Sequence, residues 1–276
     1  MNCDCDCVCA AASVIKKIPT DDRVHGVTSV DDELFVLLWQ RDNNQVRVYS
    51  INDYQQRRHL NVPRYEPDDP SDMTSCAQHK CLYMSDRGNS CIHRYELASN
   101  ATSKWSVPGK PLGLSVTPSG NLLVTCCGES DKLVELSVDS GECVREIALQ
   151  SDIKCPHHSV QLTTGQFVVC HGMSDNHLHQ VCVVGDDGKV TRSYGGQCGS
   201  DVGQLNVPCH LAVDKDSQFI FVADCGNDRV VLLSPTLEFV RYIEGLSEPY
   251  RLYFHQATRR LFVGHQWPGG VRVIQL

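Results

Sequence analysis

The sequence predicts an all-β protein, a six-bladed β-propeller whose blades are four-stranded antiparallel sheets. Three observations lead to this prediction. Short apolar runs rich in Val, Ile and Phe alternate with Asp, Gly, Asn and Ser, which is typical of strands joined by tight turns. The runs come in groups of four, as in one antiparallel meander. The groups recur along the chain every 41 to 52 residues, a period that indicates a propeller.

Residues 203–244 form the clearest of these groups. Their apolar runs, at 210–215, 219–224, 229–234 and 239–243, are each about as long as a strand. A four-stranded sheet cannot bury both of its faces by itself, so it needs a neighbour on each side. The sequence therefore favours one closed ring of blades.

The other groups share the register of this one, with Pro208 or its equivalent opening the first strand. The predicted blades start near residues 23, 70, 111, 156, 208 and 249. The last group has three strands, and residues 14–20 resemble the missing fourth one. We predict that this N-terminal strand completes the last blade, because closure of the ring removes a bare strand edge. Residues 14–276 are then a single propeller domain.

The Trp-Asp pair typical of WD40 blades is absent, and residues 199–230 instead resemble an NHL repeat. They match most of the pattern Gly-x-x-x-Gly-x-[Phe/Leu]-x-x-Pro-x-x-[Ile/Leu]-Ala-Val-Asp followed by Val-[Ala/Thr]-Asp-x-x-Asn-x-Arg, and the second blade matches a part of it. The resemblance implies a propeller similar to the C-terminal domain of tripartite-motif (TRIM-NHL) proteins, a family of ubiquitin ligases. It also implies structural roles at the blade turns for Asp86, Asn89, Asp224, Asn227 and Arg229.

Our predicted function is a non-catalytic scaffold or interaction module. No Gly-x-Ser-x-Gly, phosphate-binding glycine loop or His-Glu-x-x-His motif is present. We expect a protein partner at the loops of one propeller face, and the resemblance implies substrate recognition for ubiquitin ligation. Some family propellers bind RNA, but the net charge of −8 disfavours that alternative. The candidate basic face for RNA consists of Arg57, Arg58, Arg259 and Arg260.

The second alternative is a zinc enzyme, suggested by the residues two positions after each blade start. These residues are His25, Asp72, Gly113, His158, His210 and Arg251. They open the innermost strands, so we expect their side chains to form a ring at one mouth of the channel. His25, His158 and His210 could then bind Zn²⁺ with one open position. This resembles peptidyl-amidoglycolate lyase, an NHL-related zinc enzyme. The preferred interpretation has no cofactor, with histidines bonded to backbone groups in a wet channel.

The cysteines fall into two sets. Residues 1–13 carry Cys3, Cys5, Cys7 and Cys9. We predict a disordered reduced tail there, with metal capture or lipidation as alternatives. The other twelve cysteines lie in or beside apolar runs and are expected to be small buried residues rather than disulfides. No secretory signal and no stretch of 18 apolar residues is present, so we expect a cytoplasmic monomer with no membrane contact.

Two predicted connections are longer than the rest. Residues 65–72 are acidic and rich in proline, which favours a stiff exposed linker between the first two blades. Residues 171–179 carry three histidines, His171, His177 and His179, among Gly, Ser, Asp and Asn. Solvated loop histidines are the preferred interpretation, and metal binding is the alternative.

Overall fold

A computed structural model describes residues 12–39, 45–62, 70–128, 130–173 and 178–276 of the chain. It confirms the predicted fold class: six sheets of four antiparallel strands are arranged as a propeller. The cysteines of the N-terminal tail, most of the acidic linker and His177 lie outside the described residues. No helix in the described part of the chain is long and apolar enough to cross a bilayer.

The strands run along the chain in the order of the blades. Blade 1 contains β2 (Val24–Val30), β3 (Glu33–Leu38), β4 (Gln45–Ser50) and β5 (Gln56–Asn61). Blade 2 contains β6 (Pro70–Cys76), β7 (Cys81–Asp86), β8 (Cys91–Glu96) and β9 (Thr102–Ser106). Blade 3 contains β10 (Pro111–Val116), β11 (Leu122–Cys126), β12 (Lys132–Leu136) and β13 (Cys143–Ala148). In each of these three blades the strands pair in sequence order, from the channel outwards.

The second half of the ring repeats this arrangement. Blade 4 contains β14 (Pro156–Gln161), β15 (Phe167–His171), β16 (His179–Val184) and β17 (Val190–Gly196). Blade 5 contains β18 (Pro208–Val213), β19 (Ile220–Asp224), β20 (Arg229–Leu233) and β21 (Phe239–Ile243). Blade 6 contains β22 (Pro249–His255), β23 (Arg260–His265), β24 (Gly270–Gln275) and, as its outer strand, β1 (Ser13–Pro19).

Among the described residues, the core consists of six apolar clusters, one between each pair of neighbouring blades. Between blades 1 and 2, for example, Phe35 and Leu37 pack with Leu82 and Met84. The second strands are buried on both faces, which is why their sequences are continuous apolar runs without alternation. The outer strand β5 is polar and largely exposed. Nine of the twelve cysteines in the described residues are buried, as predicted, and no disulfide joins the described cysteines.

The propeller has two faces that differ in their loops. The connection face carries the links between blades and the turns between the second and third strands. The turn face carries the turns between the first and second strands and between the third and fourth. Each innermost strand therefore begins at the connection face and ends at the turn face.

The ring is closed by the N-terminal strand, as the sequence predicted. Strand β1 pairs antiparallel with β24, from Ser13 opposite Gln275 to Pro19 opposite Gly270. Ile18 of β1 is only 3% exposed and belongs to the apolar cluster between blades 6 and 1. The closing strand is thus bound by backbone hydrogen bonds and by one buried side chain.

Two alanine substitutions in β1 test the energetic role of this closure. Ile18→Ala is expected to lower the free energy of unfolding by about 2–4 kcal/mol, because it leaves a cavity in the cluster between the first and last blades. Ile15→Ala is the matched control, since Ile15 lies on the same strand but is 44% exposed. Urea denaturation measures both changes. Equal effects of the two substitutions would contradict a packed closing strand.

Candidate functional site

The candidate site begins at a backbone irregularity shared by all six blades. The pairing of the first strand with the second shifts register just after the strand begins, as it does between Pro156 and His158 and between Pro208 and His210. A bulge of this kind bends the strand and changes the direction of nearby side chains. The six residues predicted to form a channel ring lie at or beside these bulges. The bulges themselves were not predicted from the sequence.

Four of the six predicted residues meet at the axis, and Asp72 is at their centre. The Asp72 side chain is 1% exposed. Its Oδ1 accepts the backbone N–H of Met73 at 2.8 Å, and its Oδ2 accepts that of Leu114 in blade 3, also at 2.8 Å. The sequence assigns Asp72 both to the predicted ring and to the exposed acidic linker, residues 65–72. The structure places it in β6, where buried donors surround its carboxylate, so its assignment to an exposed linker is wrong.

Arg251 supplies the positive charge of the cluster. Its Nε lies 3.3 Å from Asp72 Oδ1, and its guanidinium group stacks over the Tyr250 ring at 3.8 Å. The guanidinium donates to the carbonyl oxygens of Tyr250, of His25 in blade 1 and of Ser71 in blade 2. Burial opposes ionisation of Asp72, but the nearby His210 and Arg251 outweigh it and lower the pKa of Asp72 to about 2. The pair is therefore a buried carboxylate–guanidinium ion pair.

His158 and His210 stack on each other beside this pair, with ring centroids 3.7 Å apart. His158 Nε2 lies 3.0 Å from the carbonyl oxygen of Leu114, which can only accept, so Nε2 carries the proton. His210 Nδ1 accepts the backbone N–H of Leu252 at 3.3 Å, which leaves its Nε2 proton directed at Asp72 Oδ2, 3.4 Å away. Burial lowers the pKa of both imidazoles, that of His158 to about 3, so both rings are neutral.

The remaining two ring positions have different roles. Gly113 leaves room for His158, because a Cβ at Gly113 would lie 2.8 Å from His158 Cδ2 and 2.5 Å from the carbonyl oxygen of His157. His25 is half-buried, and its ring meets the edge of the Tyr250 ring at 5.8 Å. Its backbone oxygen, rather than its imidazole, is bonded to Arg251.

The residues at the axis do not fit zinc as the sequence suggested. Potential ligand atoms of Asp72, His158 and His210 lie within 4.8 Å of one another, and His25 is not a member of this set. His158 Nε2 donates to a main-chain carbonyl oxygen and both Asp72 oxygens accept main-chain N–H groups, so a metal ion here would have to break backbone hydrogen bonds. A metal ion would also have to displace the positive charge of Arg251. The preferred interpretation of histidines bonded to backbone groups agrees with these contacts.

Two members of the cluster, His158 and His210, form the floor of a cavity of about 560 Å³ that lies between the innermost strands and opens on the turn face. His158 and His210 line its inner end. The walls come from the innermost strands, and the rim is formed by Gln78, Thr117, Thr163, Lys215, Gln218 and Gln256. This volume lies in the range of small-molecule and peptide sites. The sequence does not predict this cavity, because the cavity arises from the spacing of six strands around the axis.

A hydroxyl network stiffens one wall of this cavity. Ser75 Oγ lies 2.6 Å from Thr28 Oγ1 and donates to the carbonyl oxygen of Ser29. The Ser29 hydroxyl is 2.6 Å from the Tyr253 hydroxyl. These bonds join blades 6, 1 and 2 at the depth of the cavity.

Asp86, Asp224 and Arg229 of the predicted NHL turn residues are buried, whereas Asn89 is exposed and Asn227 is half-buried, and all five are hydrogen-bonded. Asp86 Oδ1 accepts the backbone N–H of Asn89 at 2.9 Å, so it caps its turn. Asp224 Oδ2 accepts from Asn227 Nδ2 at 2.8 Å and from Arg229 Nε at 2.7 Å. The Arg229 guanidinium also donates to the carbonyl oxygens of Ser200 and Gln204 in the link from blade 4, so it joins the turn to the preceding link.

The candidate basic face is largely neutralised. Arg57 pairs with Asp32 at 2.8 Å, and Arg58 binds both carboxylate oxygens of Glu33. Arg259 pairs with Asp214 at 3.0 Å. The fourth member, Arg260, donates to the Tyr54 hydroxyl at 2.8 Å and to Gln275 Oε1 at 3.1 Å.

His171 and His179, the two described histidines of residues 171–179, differ from their prediction. His171 and His179 are each 1% exposed and lie at the ends of β15 and β16, so they are not solvated loop residues. His171 Nε2 is 3.4 Å from Cys182 Sγ, and His179 Nδ1 accepts the backbone N–H of Val207 at 3.0 Å. The two strands extend further into the polar segment than its composition indicated.

Comparisons with known proteins show the fold. No protein-family model and no curated protein sequence matches this chain. Among solved structures, the chain is similar to a catalytically inactive virginiamycin B lyase from Staphylococcus aureus in complex with quinupristin, with TM-score 0.65 and 11% identity over 93% of this chain and 82% of that one. It is similar to Kuenenia stuttgartiensis hydrazine synthase, with TM-score 0.67 and 14% identity over 92% and 83%. A Bacteroides caccae protein of unknown function matches with TM-score 0.65 and 13% identity over 84% and 81%.

The ion pair at the axis predicts a large effect of Asp72→Asn. The amide leaves Arg251 buried without a counter-charge, so the free energy of unfolding is expected to fall by about 3–5 kcal/mol. Asp31→Asn is the matched control, because Asp31 pairs with Lys80 on the surface, where such a pair contributes at most about 1 kcal/mol. Urea denaturation at neutral pH compares the two. A small effect at Asp72 would contradict a stabilising role of the cluster.

The buried imidazoles predict sensitivity to acid. Burial lowers the pKa values of both His157 and His158 to about 3, whereas an unfolded histidine titrates near 6.5. Between these two pKa values the unfolded state binds more protons than the folded state. The contribution to the free energy of unfolding is therefore complete above pH 6.5 and decreases as the pH is lowered towards 3. His158→Gln is expected to make this fall shallower by about 1 kcal/mol per pH unit.

Urea denaturation at several pH values between 7 and 4 measures this slope. His59→Gln is the control, since His59 is exposed on β5, and it should leave the slope unchanged. A slope that both substitutions leave at its original value would show that His158 takes up its proton without unfolding.

Proposed function

We propose that this chain is a non-catalytic binding module and that an uncharged, polar segment of a protein partner enters the cavity of the turn face. The observation that carries the proposal is the channel itself. The buried Asp72 cluster closes it at the connection face, and a cavity of about 560 Å³ opens at the other end. A concave site on a rigid scaffold is the usual form of a ligand site.

The lining of the cavity indicates the chemistry of the ligand. Hydroxyl and amide side chains predominate among its polar residues, and Lys215 is the one lining residue with a formal charge at neutral pH in the described part of the chain. The two floor histidines are neutral because burial lowers their pKa values. Such a surface offers hydrogen bonds without attracting either sign of charge. It therefore favours Ser, Thr, Asn, Gln or backbone amides over acidic or basic segments.

The rim is held in place by hydrogen bonds between neighbouring blades. Gln218 of blade 5 accepts the backbone N–H of Thr163 in blade 4 at 2.9 Å. Gln256 of blade 6 accepts the backbone N–H of Lys215 in blade 5 at 3.2 Å and donates to the Val213 carbonyl oxygen. A rim fixed in this way loses little conformational freedom when a ligand binds, which favours recognition.

RNA and catalysis receive less support than binding of a protein segment. Three of the four arginines of the candidate basic face are paired with carboxylates, which weakens the positive field that RNA requires. The protonated Nε2 atoms of His158 and His210 are directed at the Leu114 oxygen and at Asp72, so they are poorly placed to act on a substrate. The lyase and the synthase among the similar structures share the fold at 11% and 14% identity and carry no argument for activity. The NHL resemblance and a place in ubiquitin ligation stay predictions.

The connection face offers a second candidate surface for the same function. Four of the large hydrophobic residues that are exposed in the described part of the chain lie in its loops: Met173, Leu178, Val202 and Trp267. Exposed apolar side chains often belong to protein interfaces. The experiment must therefore distinguish the two faces.

A random peptide library, selected on the purified chain, tests the proposal. Selected peptides are expected to be rich in Ser, Thr, Asn, Gln and Gly and poor in charged residues. Thr74 lines the cavity wall, so Thr74→Trp should fill the cavity and raise the Kd of a selected peptide at least about tenfold. Thr102→Trp is the matched control on the exposed outer strand β9 and should leave the Kd unchanged. Isothermal titration calorimetry measures both.

Two results would overturn the proposal. Peptides that bind the Thr74→Trp variant as well as the original chain, but lose binding in Trp267→Ala, would place the site on the connection face. Submicromolar binding of single-stranded RNA that weakens between two salt concentrations, measured by filter binding, would favour RNA as the ligand.

A further inference from the structure

Blade 2 contains a compact group of three different metal-ligating side chains near the connection face. Asp86 ends β7, while Cys91 and His93 lie at the start of β8. Ligand atoms of the three residues lie within 4.8 Å of one another. His93 Nε2 is 2.8 Å from Asp86 Oδ2 and 3.7 Å from Cys91 Sγ. Asp86 and Cys91 are each 1% exposed and His93 is 8% exposed, so the group has one edge towards solvent.

In blade 5, the residue at the position equivalent to Cys91 is an arginine. Asp224 is paired across its turn with Arg229, and Asp86 is paired in the same register with Cys91. In blade 5 the Arg229 guanidinium neutralises the buried Asp224 carboxylate through a bond of 2.7 Å. In blade 2 a thiol takes the place of that arginine. His93, two residues further along the same strand, directs its imidazole at the carboxylate instead.

The distance between Cys91 and His93 matches that of two ligands in a tetrahedral zinc site. Zinc binds thiolate at about 2.3 Å and imidazole at about 2.0–2.1 Å, so tetrahedral angles hold S and N about 3.6 Å apart. The observed distance between Cys91 Sγ and His93 Nε2 is 3.7 Å. The same geometry holds N and O about 3.3 Å apart, so Asp86 Oδ2 and His93 Nε2 must separate by about half an ångström when the ion enters.

We propose that Asp86, Cys91 and His93 bind one divalent transition-metal ion of the zinc class. A thiolate, an imidazole and a carboxylate are the ligand types that zinc accepts, and a solvent molecule at the partly exposed edge completes four-coordination. The ion supplies the positive charge that Arg229 supplies in blade 5. On binding, the Cys91 thiol releases its proton to solvent, and the His93 proton moves from Nε2 to Nδ1.

The role of the ion is structural in this arrangement. The carboxylate of Asp86 also accepts the backbone N–H of Asn89, so the same side chain caps the turn between β7 and β8. An ion on Asp86, Cys91 and His93 would join both strands at that turn. It would therefore fix the part of blade 2 that faces the connection surface.

Cobalt binding tests the site in the full-length chain. Cys3, Cys5, Cys7 and Cys9 are replaced by serine in every sample, because the N-terminal thiols could bind cobalt themselves. Protein treated with a chelator and a phosphine reductant is titrated with Co²⁺. We expect one equivalent to bind, with a thiolate-to-cobalt charge-transfer band, and one equivalent of Zn²⁺ to abolish that band. The band separates this site from Asp72, His158 and His210, which include no thiol.

Two variants assign the ligands. Cys91→Ser should abolish the band, and His93→Ala should weaken Co²⁺ binding at least about tenfold. Cys81→Ser is the matched control, because Cys81 is a buried cysteine at the other end of β7, and it should retain the band. Circular dichroism confirms that each protein is folded.

Three outcomes would overturn the proposal. They are a folded parent protein that gives no charge-transfer band, a band that persists in Cys91→Ser, and a band lost equally in Cys81→Ser. If Cys91→Ser does not fold, X-ray absorption of the zinc-loaded parent decides the question. One sulfur in the first coordination shell supports the site, and a shell of nitrogen and oxygen alone contradicts it.

Discussion

The carboxylate of Asp72 is the constraint on which the centre of this propeller depends. It accepts backbone N–H groups from blades 2 and 3, lies against the protonated Nε2 of His210 from blade 5, and neutralises Arg251 from blade 6. Arg251 in turn binds a carbonyl oxygen of blade 1, and His158 of blade 4 stacks on His210. All six blades therefore meet in one buried polar cluster. Because a buried charge is costly unless it is paired, the cluster specifies one arrangement of the inner strands.

This cluster also determines the shape of the channel. It fills the connection-face end with charged and aromatic groups that bond one another, and it leaves the turn-face end open. The same two imidazoles that take part in the cluster form the floor of the cavity. Burial in the cluster keeps both imidazoles neutral. The floor that they form is therefore uncharged. Structure and recognition thus share the same side chains.

The sequence predicted the fold more completely than the site. The recurring apolar runs predict six blades, and the strand before the first blade predicts how the ring closes. Both predictions need only local sequence patterns and a count of the repeats. The repeat register also predicts that four residues of the cluster lie in one ring at the axis: Asp72, His158, His210 and Arg251. The repeat register does not predict that Asp72 lies at the centre of the cluster, because bulges at the starts of the first strands determine where the side chains point. The acidic residues around Asp72 are typical of an exposed linker, and the three histidines of the ring are typical of a zinc site. The sequence does not predict which arginines are neutralised, because their carboxylate partners can be distant in sequence. Arg259, for example, pairs with Asp214.

The pairing of β1 with β24 has a consequence for the order of events in folding. Ser13 and Gln275 are direct partners in one sheet, although nearly the whole chain separates them. Closing a loop of that length costs about 5 kcal/mol of chain entropy, and the pairing can form only after β24 has been synthesised. Of the strands of this propeller, the first to be synthesised is therefore the last to pair. Until then, five complete blades and an unfinished sixth must persist with two strand edges open to association with other chains.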